Sequence, residues 1–175
     1  AGRKVALLAP QRGKKVALVS LANDNATHAF REKRRQEDDL VERLAEVQEK
    51  LRLPTLPRRI ECVDISHLGG NDTVGAVVAL TDGRPDKKRY RVFHVRTVEG
   101  GDDYAAMREV LGRRFRRGLA EKPGRRGDAD DEPSKWDLPD LFVVDGGRGQ
   151  LGVALAAAGD LGLSGLPIVG LAKER

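Results

Sequence analysis

Cysteine is almost missing from this sequence: Cys62, inside an apolar run, is the only one among 175 residues. A single thiol excludes an internal disulfide and a cysteine-based zinc site, and its simplest home is a reducing cytoplasm. Aromatic residues make up only 4%, so the 39% of apolar residues must build a core mainly from Val, Leu, Ile and Ala. No apolar run approaches the roughly 20 residues of a membrane span. The opening Ala1-Gly2-Arg3-Lys4 lacks a signal-peptide pattern and reads as a fragment boundary. Charge, by contrast, is abundant, at 34% of residues with a net +5. Such a modest positive excess fits a polyanionic partner. The length suits one sizeable domain with a small appendage.

Residues 4–8 and 15–21 are short apolar runs around Pro10-Gln11-Arg12-Gly13, and they predict a small hairpin or strand pair. Asn23 and Asp24 are placed to cap a charged helix, along which Leu40, Leu44, Val47 and Leu51 form one apolar stripe. Leu53-Pro54-Thr55-Leu56-Pro57 ends it, because proline cannot continue helical hydrogen bonding. The expected organisation is therefore a lead-in segment over 1–57 and a main domain over 58–175.

In the main domain, strands are predicted over Ile60–Ile65, Thr73–Leu80 and Arg89–Val95, with Asp82-Gly83 as a turn. A helix over about Asp103–Gly118 places Tyr104, Met107, Val110, Leu111 and Phe115 on one face and arginines on the rest. Residues 121–137 have almost no apolar content and read as a disordered surface loop. That loop carries four basic and six acidic residues, so the remainder holds +7. Strands over Leu141–Val144 and Pro167–Leu171 flank a helix that follows Gly146-Gly147-Arg148-Gly149. The order β-β-β-α-β-α-β is that of an α/β, ribonuclease-H-like mixed sheet, here with an N-terminal strand and helix extension.

Two aspartates stand out. Asp64 sits in Glu61-Cys62-Val63-Asp64-Ile65-Ser66-His67, and Asp145 ends Phe142-Val143-Val144-Asp145. A carboxylate in an apolar strand needs a cation, a hydrogen-bond network or an exposed strand end. In the expected fold these strands are neighbours, and two like charges there repel unless a divalent metal lies between them. Hard oxygen ligands favour Mg²⁺ or Mn²⁺, which polarise a phosphodiester and activate water. Taken singly, each is equally an ordinary strand-end acid. Asp102 reads best as a helix cap, and Asp103 is placed to reach the metal or its waters as well. The glycine-rich turn 146–149 is a possible phosphate cradle, although glycine also serves tight turns generally. Arg108, Arg113, Arg114, Arg148 and Lys173 are candidate contacts to DNA phosphates, and a solvated surface explains them equally well. His67 could serve as a ligand, and a hydrogen-bonded structural histidine is the better reading. His28 and His94 carry no signal, and adjacent Ser66 and His67 give no nucleophile–base geometry.

Three stretches together resemble a known family: Arg59-Ile60-Glu61-Cys62-Val63-Asp64-Ile65-Ser66-His67, then Gly101-Asp102-Asp103-Tyr104-Ala105-Ala106-Met107, then Val144-Asp145-Gly146-Gly147-Arg148-Gly149-Gln150-Leu151. They are similar to the C-terminal half of UvrC, and Pro10-Gln11-Arg12-Gly13 and Asn25-Ala26 look like the segment leading into it. The resemblance implies a ribonuclease-H-like endonuclease of bacterial nucleotide excision repair. Such an enzyme cuts damaged double-stranded DNA on the 5′ side of a lesion, after handover by UvrA and UvrB. By position, Asp64 and Asp145 match the family's metal-binding aspartates, and Asp103 a further acid needed for the cut. The family's set also includes a histidine downstream of the Asp-Gly-Gly motif, whereas every histidine here precedes Asp145. The family's N-terminal nuclease domain, UvrB-contacting segment and helix-hairpin-helix region have no counterpart in this stretch. The expectation is a fragment that binds metal but cuts weakly or not at all by itself. A non-catalytic nucleic-acid scaffold and an actin-like ATPase are the alternatives on related folds.

Overall fold

The computed structural model describes residues 10–68, 72–96, 102–121 and 134–172. The chain divides into two compact units, Ala1–Glu42 and Arg43–Arg175. The first, where described, is helical. Helix α1 runs from Lys14 to Leu51, 38 residues in which Leu44 alone is buried. Strand structure expected over 15–21 does not form, and Asn23 and Asp24 lie inside the helix rather than capping it. The reason is local: from Lys14 to Leu51 the sequence holds no proline or glycine and is rich in Ala, Leu, Lys, Arg and Glu. Summed helix propensity outweighs a seven-residue apolar run that has no second strand to pair with. The companion run at 4–8 lies outside the described residues. After Leu51 the chain turns through Arg52 at φ 51°, and Leu53 N–H donates to Gln48 O at 2.9 Å.

The second unit is a mixed sheet with helices against one face. Strands β1 (Arg59–Leu68) and β2 (Asp72–Thr81) pair antiparallel over their full length. A tight turn follows, with Asp82 at φ 50° and Gly83 at φ 75°, which explains why Asp-Gly was legible as a hairpin signal. It leads to a two-residue strand β3 (Arg84–Pro85), a short 3₁₀ turn at Lys87–Arg89, and β4 (Arg91–His94). The third expected strand, Arg89–Val95, thus forms as the shorter β4, and the unforeseen β3 pairs with β2 at a different height. Helix α2 (Asp103–Ala120) then crosses to β5 (Leu141–Asp145), α3 (Arg148–Gly159) and β6 (Ile168–Leu171). The sheet order is β3-β2-β1-β5-β6, with β4 beside β2, and β1, β5 and β6 run parallel.

Alternation fixes what each face does. Val63 of β1, Val77 of β2, Phe93 of β4 and Phe142 and Val144 of β5 point to the helices, where they meet Met107, Val110, Leu111 and Phe115 of α2 and Ala154, Ala157 and Ala158 of α3. Phe115 and Phe142 pack edge-on with centroids 5.2 Å apart. Helix α2 lies so close to β2 that a Cβ on Gly75 would sit 2.6 Å from Val110 Cγ2. Glu61 shares this face, and Arg114 of α2 meets it with two hydrogen bonds of 2.7 and 2.6 Å. Both side chains are buried.

The segment expected to be a disordered loop over 121–137 falls outside the described residues at 122–133. Its last four residues contradict that expectation. The carbonyl of Ser134 accepts from Arg89, that of Lys135 from Arg91, and those of Trp136 and Asp137 both from Arg114, at 2.9–3.0 Å. The guanidinium groups of Arg91 and Arg117 lie over the Trp136 ring, 4.4 and 5.0 Å from its centroid. Polar composition here reflects backbone carbonyls satisfied by arginine rather than by water.

Candidate metal and active site

The site begins with the register of β1 on β5. Val63 pairs with Val144, and both are buried against the helices. Asp64 and Asp145 are the next residue on each parallel strand, so both project to the opposite face at the same level, with backbones roughly 5 Å apart. Both are exposed. Ser66, two residues along, donates its hydroxyl to Asp64 Oδ2 at 3.0 Å. Cys62, one step back on the same face, is half-buried, and burial first, then the charges of Asp145 and Asp64, push its thiol up.

Asp145 is followed at once by a tight turn at Gly146, whose φ is 157°. A Cβ on Gly146 would lie 2.7 Å from Gln150 Cδ, and one on Gly170 would lie 2.9 Å from Gly146 O. Gly147 caps α3 without a side-chain hydrogen bond, which leaves the first amides of that helix without a side-chain acceptor. Arg148, the first residue of α3, is exposed. Tyr104, expected on the buried stripe of α2, is instead 50% exposed and lies across Gly149, where a Cβ would be 2.5 Å from its hydroxyl. The starts of α2 and α3 therefore touch.

Asp102 caps α2, accepting from the amides of Tyr104 and Ala105 at 3.0 and 3.1 Å. Asp103 is not brought to the Asp64–Asp145 pair by any direct contact; its Oδ1 meets His67 Nε2 at 2.7 Å on the helix-covered side of β1. Among the described residues, no three His, Cys, Asp or Glu side chains converge as a metal cage.

The arginines separate by environment. Arg114 cannot contact DNA: its side chain is 1% exposed and its guanidinium is committed to Glu61 and two carbonyls. Arg113 donates to His94 O and Glu109, and Arg108 pairs with Asp160 at 2.6 Å while remaining over half exposed. Lys173 lies outside the described residues. Sequence reasoning missed Glu61 as the partner of Arg114 and Thr73 as a partner of His67. A glutamate facing a hydrophobic helix stripe was the available signal for the first.

A mixed sheet in this order, with two helices on one face and an acidic pair at the ends of neighbouring parallel strands on the other, is a ribonuclease-H-like α/β domain. Residues 48–175 match the family model of the UvrC RNAse H endonuclease domain, and the chain belongs to that family. Over 99% of its length it is 47% identical to UvrABC system protein C of Trichlorobacter lovleyi and 44% identical to that of Syntrophus aciditrophicus. It covers 27% and 25% of those proteins, so it spans about a quarter of the curated relatives it matches. Among solved structures it is similar to Ciona intestinalis endonuclease V in complex with a 24mer DNA, at a TM-score of 0.45 and 16% identity over 79% of this chain and 59% of that one. Human ENDOV is similar at a TM-score of 0.39 and 17% identity, over 71% and 50%. Among the described residues, no helix is long and apolar enough to cross a membrane.

Proposed function

We propose that this chain is the part of a cytoplasmic repair nuclease that hydrolyses a phosphodiester of damaged double-stranded DNA on the 5′ side of a lesion, acting with UvrB after UvrA. Residues 58–175 carry the reaction and 1–57 lead into it. The observation that supports this most is the placement of Asp64 and Asp145 at matching positions on parallel strands, exposed on one face.

Those two carboxylates suit Mg²⁺ or Mn²⁺, which often bind through one or two carboxylates, with water and substrate phosphate completing the shell. A bound ion would supply Lewis-acid polarisation of the phosphodiester and a lowered pKa for the attacking water. The side chains do the rest. Ser66 holds one oxygen of Asp64 and leaves the other for a ligand. Arg148 and the uncapped amides that open α3 lie next along the chain from Asp145, suited to a DNA phosphate. Arg108 and Arg113 are more weakly suited, since each already has a protein acceptor. Asp103 contributes from the helix-covered side, through water or substrate. With two carboxylates on neighbouring strands and, among the described residues, no cluster of three metal-ligating side chains, this chain by itself should bind metal and cut little.

Calorimetric titration with Mn²⁺ tests the assignment: heat should appear for the wild type and vanish for Asp145→Asn. Equal heats in both would sink it. The lack of a third converging ligand among the described residues is what favours a second reading, a non-catalytic nucleic-acid scaffold. That reading requires salt-dependent DNA affinity indifferent to Asp64→Ala.

A further inference from the structure

His67 lies three residues beyond Asp64 on β1, facing the helices. Its ring is held at both nitrogens. Nε2 is 2.7 Å from Asp103 Oδ1, and Nδ1 is 2.9 Å from Thr73 Oγ1. Thr73 is its register partner on β2, and Asp103 is the first residue of α2. A carboxylate only accepts, so Nε2 carries the hydrogen of this bond. A neutral ring then accepts at Nδ1, and the Thr73 hydroxyl donates. In that neutral form, donation runs one way, from Thr73 to His67 to Asp103.

The two ends of this relay differ. Thr73 is buried, and its backbone carbonyl is fixed by Val95 N–H at 2.9 Å. The Asp103 side chain is 60% exposed. Asp103 is not needed to cap α2, because Asp102 accepts the free amides there. The helix dipole favours a negative charge in the first turn without fixing its direction. An exposed aspartate in that position keeps one rotamer only if something holds it. His67 does, and it does so through one oxygen, leaving Asp103 Oδ2 without a protein hydrogen bond among the described residues.

We propose that His67, itself fixed by Thr73, is a positioning residue for strand incision: it sets the rotamer of Asp103 and so the direction in which Oδ2 meets water or substrate. The proposal rests on the reading of Asp103 as part of the cutting machinery.

The test uses the intact protein with UvrA, UvrB and a lesion-bearing duplex, comparing Asp103→Asn, His67→Leu, His67→Gln and the double variant His67→Leu/Asp103→Asn. Incision rate, KM and thermal midpoint are read for each. His67→Leu should lower the rate roughly ten- to a hundredfold, the range seen when an orienting partner is lost, with KM and midpoint nearly unchanged. His67→Gln, whose amide nitrogen can donate from the position of Nε2, should recover most of the rate. In the double variant His67→Leu should add nothing to the defect of Asp103→Asn. If Asp103→Asn incises like the wild type, the reading of Asp103 fails. If Asp103→Asn is impaired while His67→Leu is not, that reading stands and the positioning role is overturned. Equal loss in His67→Leu and His67→Gln also overturns it, because a donor alone then does not suffice.

Discussion

The two faces of one sheet differ in what they do with the same alternating strands. Towards α2 and α3, Val63, Phe142 and Val144 are fully buried, and even the charged Glu61 is closed off against Arg114. On the other face, Val78 is 41% exposed, Leu171 59% and Val92 66%, and the two exposed carboxylates stand among them. A shift of one residue in the register of β1 would exchange these sets. The burial of Val63 therefore determines where Asp64 points. The buried Val63 and Val144 and the exposed acidic pair are neighbours along the chain but point to opposite sides of the backbone.

This division can be broken at several points. The largest effect is expected from Asp64→Asn in the intact protein. Lesion-dependent nicking should fall by about a thousandfold or more, since metal assistance supplies several kcal/mol of barrier lowering. The thermal midpoint should stay level or rise, because one of two repelling charges is gone. A fall in both would mean that the open face also carries the fold. Next comes Glu61→Ala, which strands a buried guanidinium and should cost about 3–5 kcal/mol in urea unfolding. Replacing both partners, as in Glu61→Leu with Arg114→Met, should recover much of that. Persistent loss in the double variant would show that the carbonyls of Trp136 and Asp137 depend on the arginine more than Glu61 does. The smallest effects form a matched pair. Gly75→Ala drives a methyl into Val110 and should cost about 1–3 kcal/mol, whereas Val92→Thr on the open face should stay within about 0.5 kcal/mol. Similar costs at both positions would erase the contrast between the faces.

Most of the sheet was legible in the sequence because alternation and turn chemistry are local. The strands at Ile60, Thr73 and Leu141, and the Asp82-Gly83 turn, needed no partner to be seen. So was the pairing of the strands that bear Asp64 and Asp145, since the element order limits which neighbours are possible. The lead-in misled because Val16, Leu18, Val19 and Leu21 look like a strand, while the uninterrupted helix formers after them decide the matter. Arg114 looked like its exposed neighbours; its partner Glu61 lies 53 residues away, and nothing local marks one arginine of a run as the buried one. His67 was legible as a hydrogen-bonded residue, but not that it joins β2 to the start of α2.

The four carbonyls at Ser134–Asp137 have a practical consequence. Arginines from β4, α2 and the 3₁₀ turn fix the chain just before it enters β5, and Arg59 N–H, donating to Asp140 Oδ2 at 2.8 Å, aligns it on β1. The position of Asp145 is therefore insulated from the length of whatever sequence joins Glu121 to Ser134. A fluorescent label or an affinity tag spliced into that stretch would leave the acidic pair in register, giving a handle for following the protein without touching the face that carries the two carboxylates.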